Sequence, residues 1–306
     1  YNDSNAKSLA KTQLENILNY SVANGDKYWA PTLDEWRKQW MPSTDYYNKY
    51  SIFAIQHRTN ENRNYLIFNF SPGLPPSYTS RRIFGNSIWV EKTLEYEFER
   101  TFSNGKKDGR GIGFTILEGY EEEPNYPAYT NDRENVILED GTTVEVYTKT
   151  MFYKYLPSKP KLAELGMSFD ESSMAGDYDW PVNFPILRLE DMMLLYAELL
   201  ADEGNVVEAM YYVNKIRERA GCDPETASTS ADALRLIKRE RRVELAGEGI
   251  RWFDLVRYGE WQSAITRMFD NYNNPDGTDK SELKNGRYLY PIPLDQMNAV
   301  PGLYSQ

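Results

Sequence analysis

Residues 188–257 constrain the fold more than any other stretch of this 306-residue chain. They read RLEDMMLLYAELLADEGNVVEAMYYVNKIRERAG and, after a short loop, IKRERRVELAGEGIRWFDLVR. In the first part Leu189, Met192, Met193, Tyr196, Leu199 and Leu200 recur at spacings of three and four, which gathers them on one face of a helix. Gly204-Asn205 is a helix stop, and a second helix follows with Ala209, Tyr212, Val213, Ile216 and Ala220 on its apolar face before Gly221 ends it. Helices joined this tightly pack antiparallel, and the small Ala197 and Ala209 let the two backbones approach. A third helix starts near Thr229 or Ser230, with Thr229 and Asp232 at capping-box spacing, and runs through Leu234, Ile237, Arg241, Val243 and Leu245.

Charge is unusually dense where this third helix ends. From Glu240 to Arg257, Glu and Arg alternate with Val, Leu, Trp and Phe. The reading is structural: Arg and Glu pair across helices while their stems cover apolar surface.

Upstream, a helix is expected from Lys7 to Tyr20, stopped by Asn24-Gly25. An aromatic run follows, in which Trp36 and Trp40 share one helix face and point to a core. SIFAIQ (51–56) and YLIFNF (65–70) read as short strands around a polar turn. From about 71 to 183 periodicity fades into Pro/Gly loops. A short helix is expected within 87–102. Thr143–Thr148 alternates as a strand, with Met151–Tyr155 as its expected partner. Beyond Arg257 come a last helical turn or two to Met268, a polar loop, and an extended closing segment containing Tyr290-Pro291-Ile292-Pro293.

Catalytic constellations are missing from this pattern. The single histidine, His57, and the single cysteine, Cys222, cannot build a zinc site or a His-dependent triad, and no GxSxG segment exists. Gly109-Arg110-Gly111-Ile112-Gly113 lacks the Lys-Ser/Thr ending of a phosphate loop and reads as a turn. Residues 273–279 have calcium-loop composition but fail the ligand spacing. The acidic set Glu121, Glu122, Glu123 and Asp140 is the other calcium candidate considered, and the expectation is no metal and no cofactor. A glycosidase would need a carboxylate pair across a cleft, which 46 acidic residues cannot single out. A net charge of −11 argues against nucleic acid and disfavours anionic lipid as partners, because both need clustered Lys and Arg. No apolar run is long enough for a membrane-spanning helix.

Flat aromatic faces beside amides and guanidinium groups are what the chain does offer. Sugar rings lie with their C–H faces on Trp or Tyr and give their hydroxyls to Arg and Asn. Tyr78, Arg81, Asn86 and Trp89, with Tyr120 and Tyr126 further along, are the candidate carbohydrate-binding residues. The competing reading makes Trp89 and Phe84 core residues of the insert.

The helical hairpin at 189–220 resembles one tetratricopeptide repeat. ERRVELAGEGIRWFDLVR resembles the signature segment of the SusD/RagB family, with the preceding RLEDMMLLYAELLADEGN and the closing Tyr290-Pro291-Ile292-Pro293 in the family's order. The resemblance implies a mostly α fold: tetratricopeptide-like hairpins packed as an α/α bundle or superhelix. Helical segments are expected at about 7–50 and 186–268, around a loop- and short-strand-rich insert at about 51–185, with 269–306 closing the chain. It also implies a non-enzymatic, surface-exposed lipoprotein of the Bacteroidetes outer membrane, which binds a glycan and partners a SusC-like TonB-dependent transporter. The membrane would be reached only through an N-terminal lipid anchor outside this chain, which is expected to be the C-terminal portion of such a protein. A peptide-capturing, RagB-like member and a helical protein adaptor are the alternatives.

Overall fold

A computed structural model describes residues 3–42, 49–62, 64, 74–81, 89–125, 128–129 and 132–271. In chain order its elements are α1 (Ser4–Ala23), α2 (Leu33–Lys38), β1 (Ser51–Ile55), α3 (Lys92–Glu99), β2 (Ile116–Leu117), β3 (Arg133–Ile137), β4 (Thr143–Tyr147), β5 (Met151–Phe152), α4 (Lys159–Glu164), β6 (Phe184–Arg188), α5 (Leu189–Asp202), α6 (Val206–Ala220), α7 (Ser230–Glu244), α8 (Arg251–Tyr258) and α9 (Trp261–Asn271). The fold is mostly α, with two-stranded pairings only among the described residues. Two compact units divide it, 1–250 and 251–306.

The helical frame follows from local rules. Asp3 caps α1 by accepting from the N–H groups of Asn5 and Ala6, Thr32 caps α2, and Thr229 accepts from the Asp232 N–H at 3.1 Å to open α7. Gly221 ends α6 in the left-handed region at φ +78°, and the next N–H, of Cys222, returns to the Arg217 carbonyl at 2.9 Å. The hairpin α5–α6 packs through Ala197 and Ala209, both fully buried as their spacing requires. Leu14 and Leu18 of α1 join Met193, Leu194 and Leu200 of α5, Val213 and Ile216 of α6, and Leu236 and Ile237 of α7 in one core.

A second core packs residues 30–50 against the insert. Trp36 and Trp40 are fully buried, edge to face at 6.0 Å, against Phe114, Tyr155 and Trp180. A third, smaller core brings Leu94 and Phe98 of α3 onto Ile116 of β2 and Val243 of α7.

The strands differ from expectation in their partners. β1 pairs antiparallel with β6, from Ser51 opposite Arg188 to Ile55 opposite Phe184, which ties the start of the insert to the strand feeding α5. β4 turns back on β3 across Asp140-Gly141, where Gly141 takes φ +83°, so its partner is the preceding strand and not Met151–Tyr155. β5 pairs with β2 instead. The expected strand 65–70 and the closing segment from 272 lie outside the described residues.

In the second unit, Trp252 of α8 meets Trp261 of α9 edge to face at 6.2 Å, and Arg257 pairs with Asp254 one turn earlier. No helix among the described residues is long and apolar enough to cross a membrane.

Candidate ligand-binding site

The charged signature segment is the first place to look for chemistry, and its side chains face inward. Glu244 Oε1 accepts from Trp36 Nε1 (2.9 Å), Arg188 Nη1 (3.0 Å) and Arg219 Nη2 (2.8 Å), and its Oε2 accepts from Arg110 Nη1 (2.8 Å). Arg110 also forks onto Asp108 and reaches Glu240, which holds Arg217 in turn. Arg188 forks onto Glu248, which receives Lys154 Nζ at 2.6 Å, and Glu190 lies between Arg188 and Arg219. Five cations therefore meet five carboxylates, all buried. Burial would raise the Glu244 carboxyl, but Arg219, Arg188 and Arg110 override it and hold it well below the usual carboxylate range. Burial pulls Lys154 down to about 8 despite Glu248.

This network touches the two larger cores: Lys154 lies 4.2 Å from the Trp40 ring centroid, and Arg219 4.7 Å from that of Trp29. It is an internal brace, as the charge alternation implied. The glycine-rich 109–113 segment is a turn whose Arg110 feeds the brace. Buried and each facing an opposite charge, these groups are out of reach of a ligand.

Exposed chemistry lies in the insert. Trp89 sits at the start of α3, where it forms an isolated bridge with Met151 while the Val90 N–H bonds to the Thr150 carbonyl at 2.8 Å. Its ring stacks on Tyr129, with centroids 6.4 Å apart and planes 8° from parallel, and the side of the stack it presents leaves it 37 % exposed. Tyr129 adjoins Tyr120 at 5.9 Å, and the two exchange backbone hydrogen bonds of 3.2 and 3.0 Å. Tyr120 adjoins Tyr78 at 6.2 Å, and Tyr78 rests on the buried Tyr153 at 6.2 Å. The result is a row, Trp89–Tyr129–Tyr120–Tyr78, running from the surface to the insert core.

Backbone detail permits this row. A Cβ on Gly119 would stand 2.3 Å from the Tyr129 carbonyl oxygen, so only glycine lets the two segments close. Tyr129 donates its hydroxyl to the Lys149 carbonyl at 2.7 Å, which fixes the ring. Burial, with Tyr120 adding to it, pushes the Tyr129 hydroxyl up to about 12. Burial and then Glu123 and Glu121 raise that of Tyr78. At neutral pH both are neutral phenols, the Tyr129 proton being the one given to the Lys149 carbonyl.

Of the six residues expected from sequence, Tyr78, Trp89 and Tyr120 thus belong to one row. Arg81 stands apart from the stack. Its guanidinium donates to the carbonyls of Met174, at 2.9 Å, and Glu171, and it lines a surface depression of about 600 Å³ with Ser80, Lys159, Phe169, Asp170 and Asp177. Asn86 and Tyr126 lie outside the described residues. Tyr129, the link in the row, is missing from the expected set. The turn signal Pro124-Asn125, with Asn125 at φ +70°, could have paired it with Tyr120. His57 is tied down as a loop residue, its N–H donating to Asn183 Oδ1 at 2.9 Å and its ring meeting the Asn62 carbonyl.

Against known proteins, a model described as the SusD family matches residues 18–306. A SusD-like protein of Formosa agariphila is 32% identical over 143 residues, covering 42% of this chain and 28% of that protein. A SusD-like protein of Bacteroides ovatus is 28% identical over 142 residues, covering 45% of this chain and 24% of that one. These matches span less than a third of either relative's length. Among solved structures, surface glycan-binding protein A from Bacteroides thetaiotaomicron in complex with laminarihexaose superposes with a TM-score of 0.61 at 17% identity, over 99% of this chain and 60% of that one. At that identity the likeness carries the fold.

Proposed function

Because the chain belongs to the SusD family, we propose that it is a non-enzymatic glycan-binding component of an outer-membrane uptake system, displayed on the bacterial surface as a lipoprotein and working with a SusC-like TonB-dependent transporter. The row Trp89–Tyr129–Tyr120–Tyr78 carries this reading. The exposed Trp89 at the outer end of the row accepts the C–H face of a sugar unit, and the rings packed behind it hold it in place. Stacked on Tyr129 and braced through Met151, Trp89 is presented in one fixed orientation, so little side-chain freedom is lost when a sugar meets it. The buried brace beneath holds the loops in register without supplying contacts. That a structural neighbour was solved with laminarihexaose is consistent with a glycan ligand, as is the family.

The test is calorimetric titration with a panel of oligosaccharides, laminarihexaose among them, alongside a panel of short peptides. Saturable binding of one oligosaccharide is expected, and Trp89→Ala weakens it by about 1 kcal/mol or more, the scale of one aromatic contact. Unchanged affinity in a folded Trp89→Ala variant removes Trp89 from the site. Peptide binding with silence from every sugar turns the reading to a peptide-capturing member of the family.

A further inference from the structure

Glu95 and Glu99 stand one turn apart on α3 and share a face. Phe98, on the same helix, packs against Ile116 of β2 in the small third core, and this contact brings the helix over the residue that follows β2, Glu118. One carboxylate oxygen from each of the three residues lies within 4.8 Å of the others, and this is the one such acidic or His/Cys cluster among the described residues. The set Glu121, Glu122, Glu123 and Asp140, considered from sequence, is not brought together in that way.

Three carboxylates at this separation repel one another, and the fold does little to relieve them. Glu95 is fully buried, and no side chain donates a hydrogen bond to either of its oxygens. Oε1 of Glu118 is likewise buried and without one. The nearby cations attend chiefly to the third member: Arg133 forks onto Glu99 at 2.7 and 3.2 Å, with Lys107 at 3.5 Å. Lys92, at the start of the helix, is taken by Glu134. Burial, then Glu99 and Glu118, push the Glu95 carboxyl up to about 8, and the backbone at Tyr147 offsets this only in part. Glu95, buried and facing two more carboxyls, is thus a ligand whose neighbouring cations are engaged by Glu99.

We propose that Glu95, Glu99 and Glu118 hold a divalent cation of the hard, oxygen-seeking class, Ca²⁺ in particular. Metal–oxygen bonds of about 2.3–2.6 Å keep the oxygens round such an ion within roughly 5.2 Å of one another, so one oxygen from each of the three carboxyls can reach a single ion, with water completing the six to eight oxygens that Ca²⁺ takes. Mg²⁺ demands a tighter octahedron and gives up its waters reluctantly, so it fits a buried all-carboxylate cluster less well. The position explains what the ion would do. Glu118 is followed by Gly119-Tyr120, and α3 by its start carries Trp89, so the cation would pin together the two roots of the aromatic row. The site stands whatever ligand that row takes.

The experiment is a titration of chelator-treated protein with CaCl₂, with MgCl₂ in parallel, read by calorimetry and by melting temperature. One saturable Ca²⁺ site is expected, with a melting temperature that climbs with Ca²⁺ and moves less with Mg²⁺. Glu118→Gln, which keeps the side-chain volume at a half-buried position, weakens Ca²⁺ at least about ten-fold, and Glu95→Gln removes the melting response. Melting curves that coincide in chelator and in millimolar CaCl₂ overturn the proposal. So does a Ca²⁺ response that survives in both variants, which would place the ion elsewhere. A Glu95→Gln variant more stable than the parent protein, with no Ca²⁺ response in either, overturns it in favour of a proton shared among the carboxyls.

Discussion

Replacing Glu244 by Gln tests whether the buried charges act as one object. The substitution keeps shape and removes one negative charge from a carboxylate that accepts four hydrogen bonds, three of them from arginines. Five cations then face four carboxylates in a space sealed from water, and the amide turns two donor hydrogens toward groups that are themselves donors. Breaking one partner out of a buried ion pair destabilises by about 3–5 kcal/mol, chiefly because the surviving charge is left uncompensated. Glu244 serves three arginines, so the upper part of that range is expected. In a unit the size of residues 1–250, where about 1 kcal/mol moves the melting temperature by roughly 2–4 °C, the loss is on the order of 10 °C or more. Urea denaturation supplies the free energy and a thermal scan the midpoint. Asp202→Asn is the control: it breaks the pair with Lys7, whose side chains are about half exposed, and surface pairs contribute about 0–1 kcal/mol. A Glu244→Gln loss no larger than that of the control would refute the reasoning. It would mean that water reaches the arginines or that they find other partners.

Two further outcomes follow from the insert. Gly119→Ala drives a methyl group into the Tyr129 carbonyl, so it costs about 1–3 kcal/mol of stability and weakens ligand binding together with Trp89→Ala, whereas an unaltered affinity would uncouple this contact from the row. Glu95 gives a pH dependence of defined sign. Its folded-state carboxyl is raised to about 8, so between its ordinary value of 4.5 and about 8 the folded protein holds a proton that the unfolded chain has released. Stability then falls as pH rises through that window, by up to about 1.4 kcal/mol per unit at its steepest. Melting temperatures across this range should flatten in Glu95→Gln, and in the parent protein once Ca²⁺ is present. A slope unchanged by the substitution would assign it to another group.

The helical frame was legible because its signals are local. Periodicity, the Thr229 cap and the Gly221 stop each act within a turn or two of chain, and packing of the α5–α6 hairpin needed only the small Ala197 and Ala209. The same holds for Trp36 and Trp40, whose spacing placed them on one buried face. That Arg and Glu in 240–248 pair inwardly could be read from their interleaving with apolar residues, but their partners could not. Asp108, Arg110 and Lys154 come from the insert, where nothing in the local pattern marks a buried charge. Strand pairing failed for the same reason: β4 and β5 sit close in sequence, yet one turns back on β3 and the other reaches β2. The aromatic row was half legible. Composition pointed to Trp89, Tyr120 and Tyr78, while Tyr129 emerged only from a backbone bridge between two loops.

The brace also has a history within each molecule's assembly. Its charges come from positions 108–110, 154, 188–190, 217–219 and 240–248. Asp108–Arg110 and Arg188–Glu190 are neutral pairs within their own stretches, but Lys154, Arg217, Arg219 and the carboxylates of 240–248 meet their counter-charges from other segments. A partly collapsed chain that dried 154, 217–219 or 240–248 early would strand a bare ion, and the penalty would reopen it. Closure over these three segments therefore waits for their partners, which makes the contacts between segments late on the folding path and their loss early on the way out. Substitutions in the brace should accordingly speed unfolding far more than they slow folding, and the half-life of the folded protein, more than its rate of formation, is what these buried charges set.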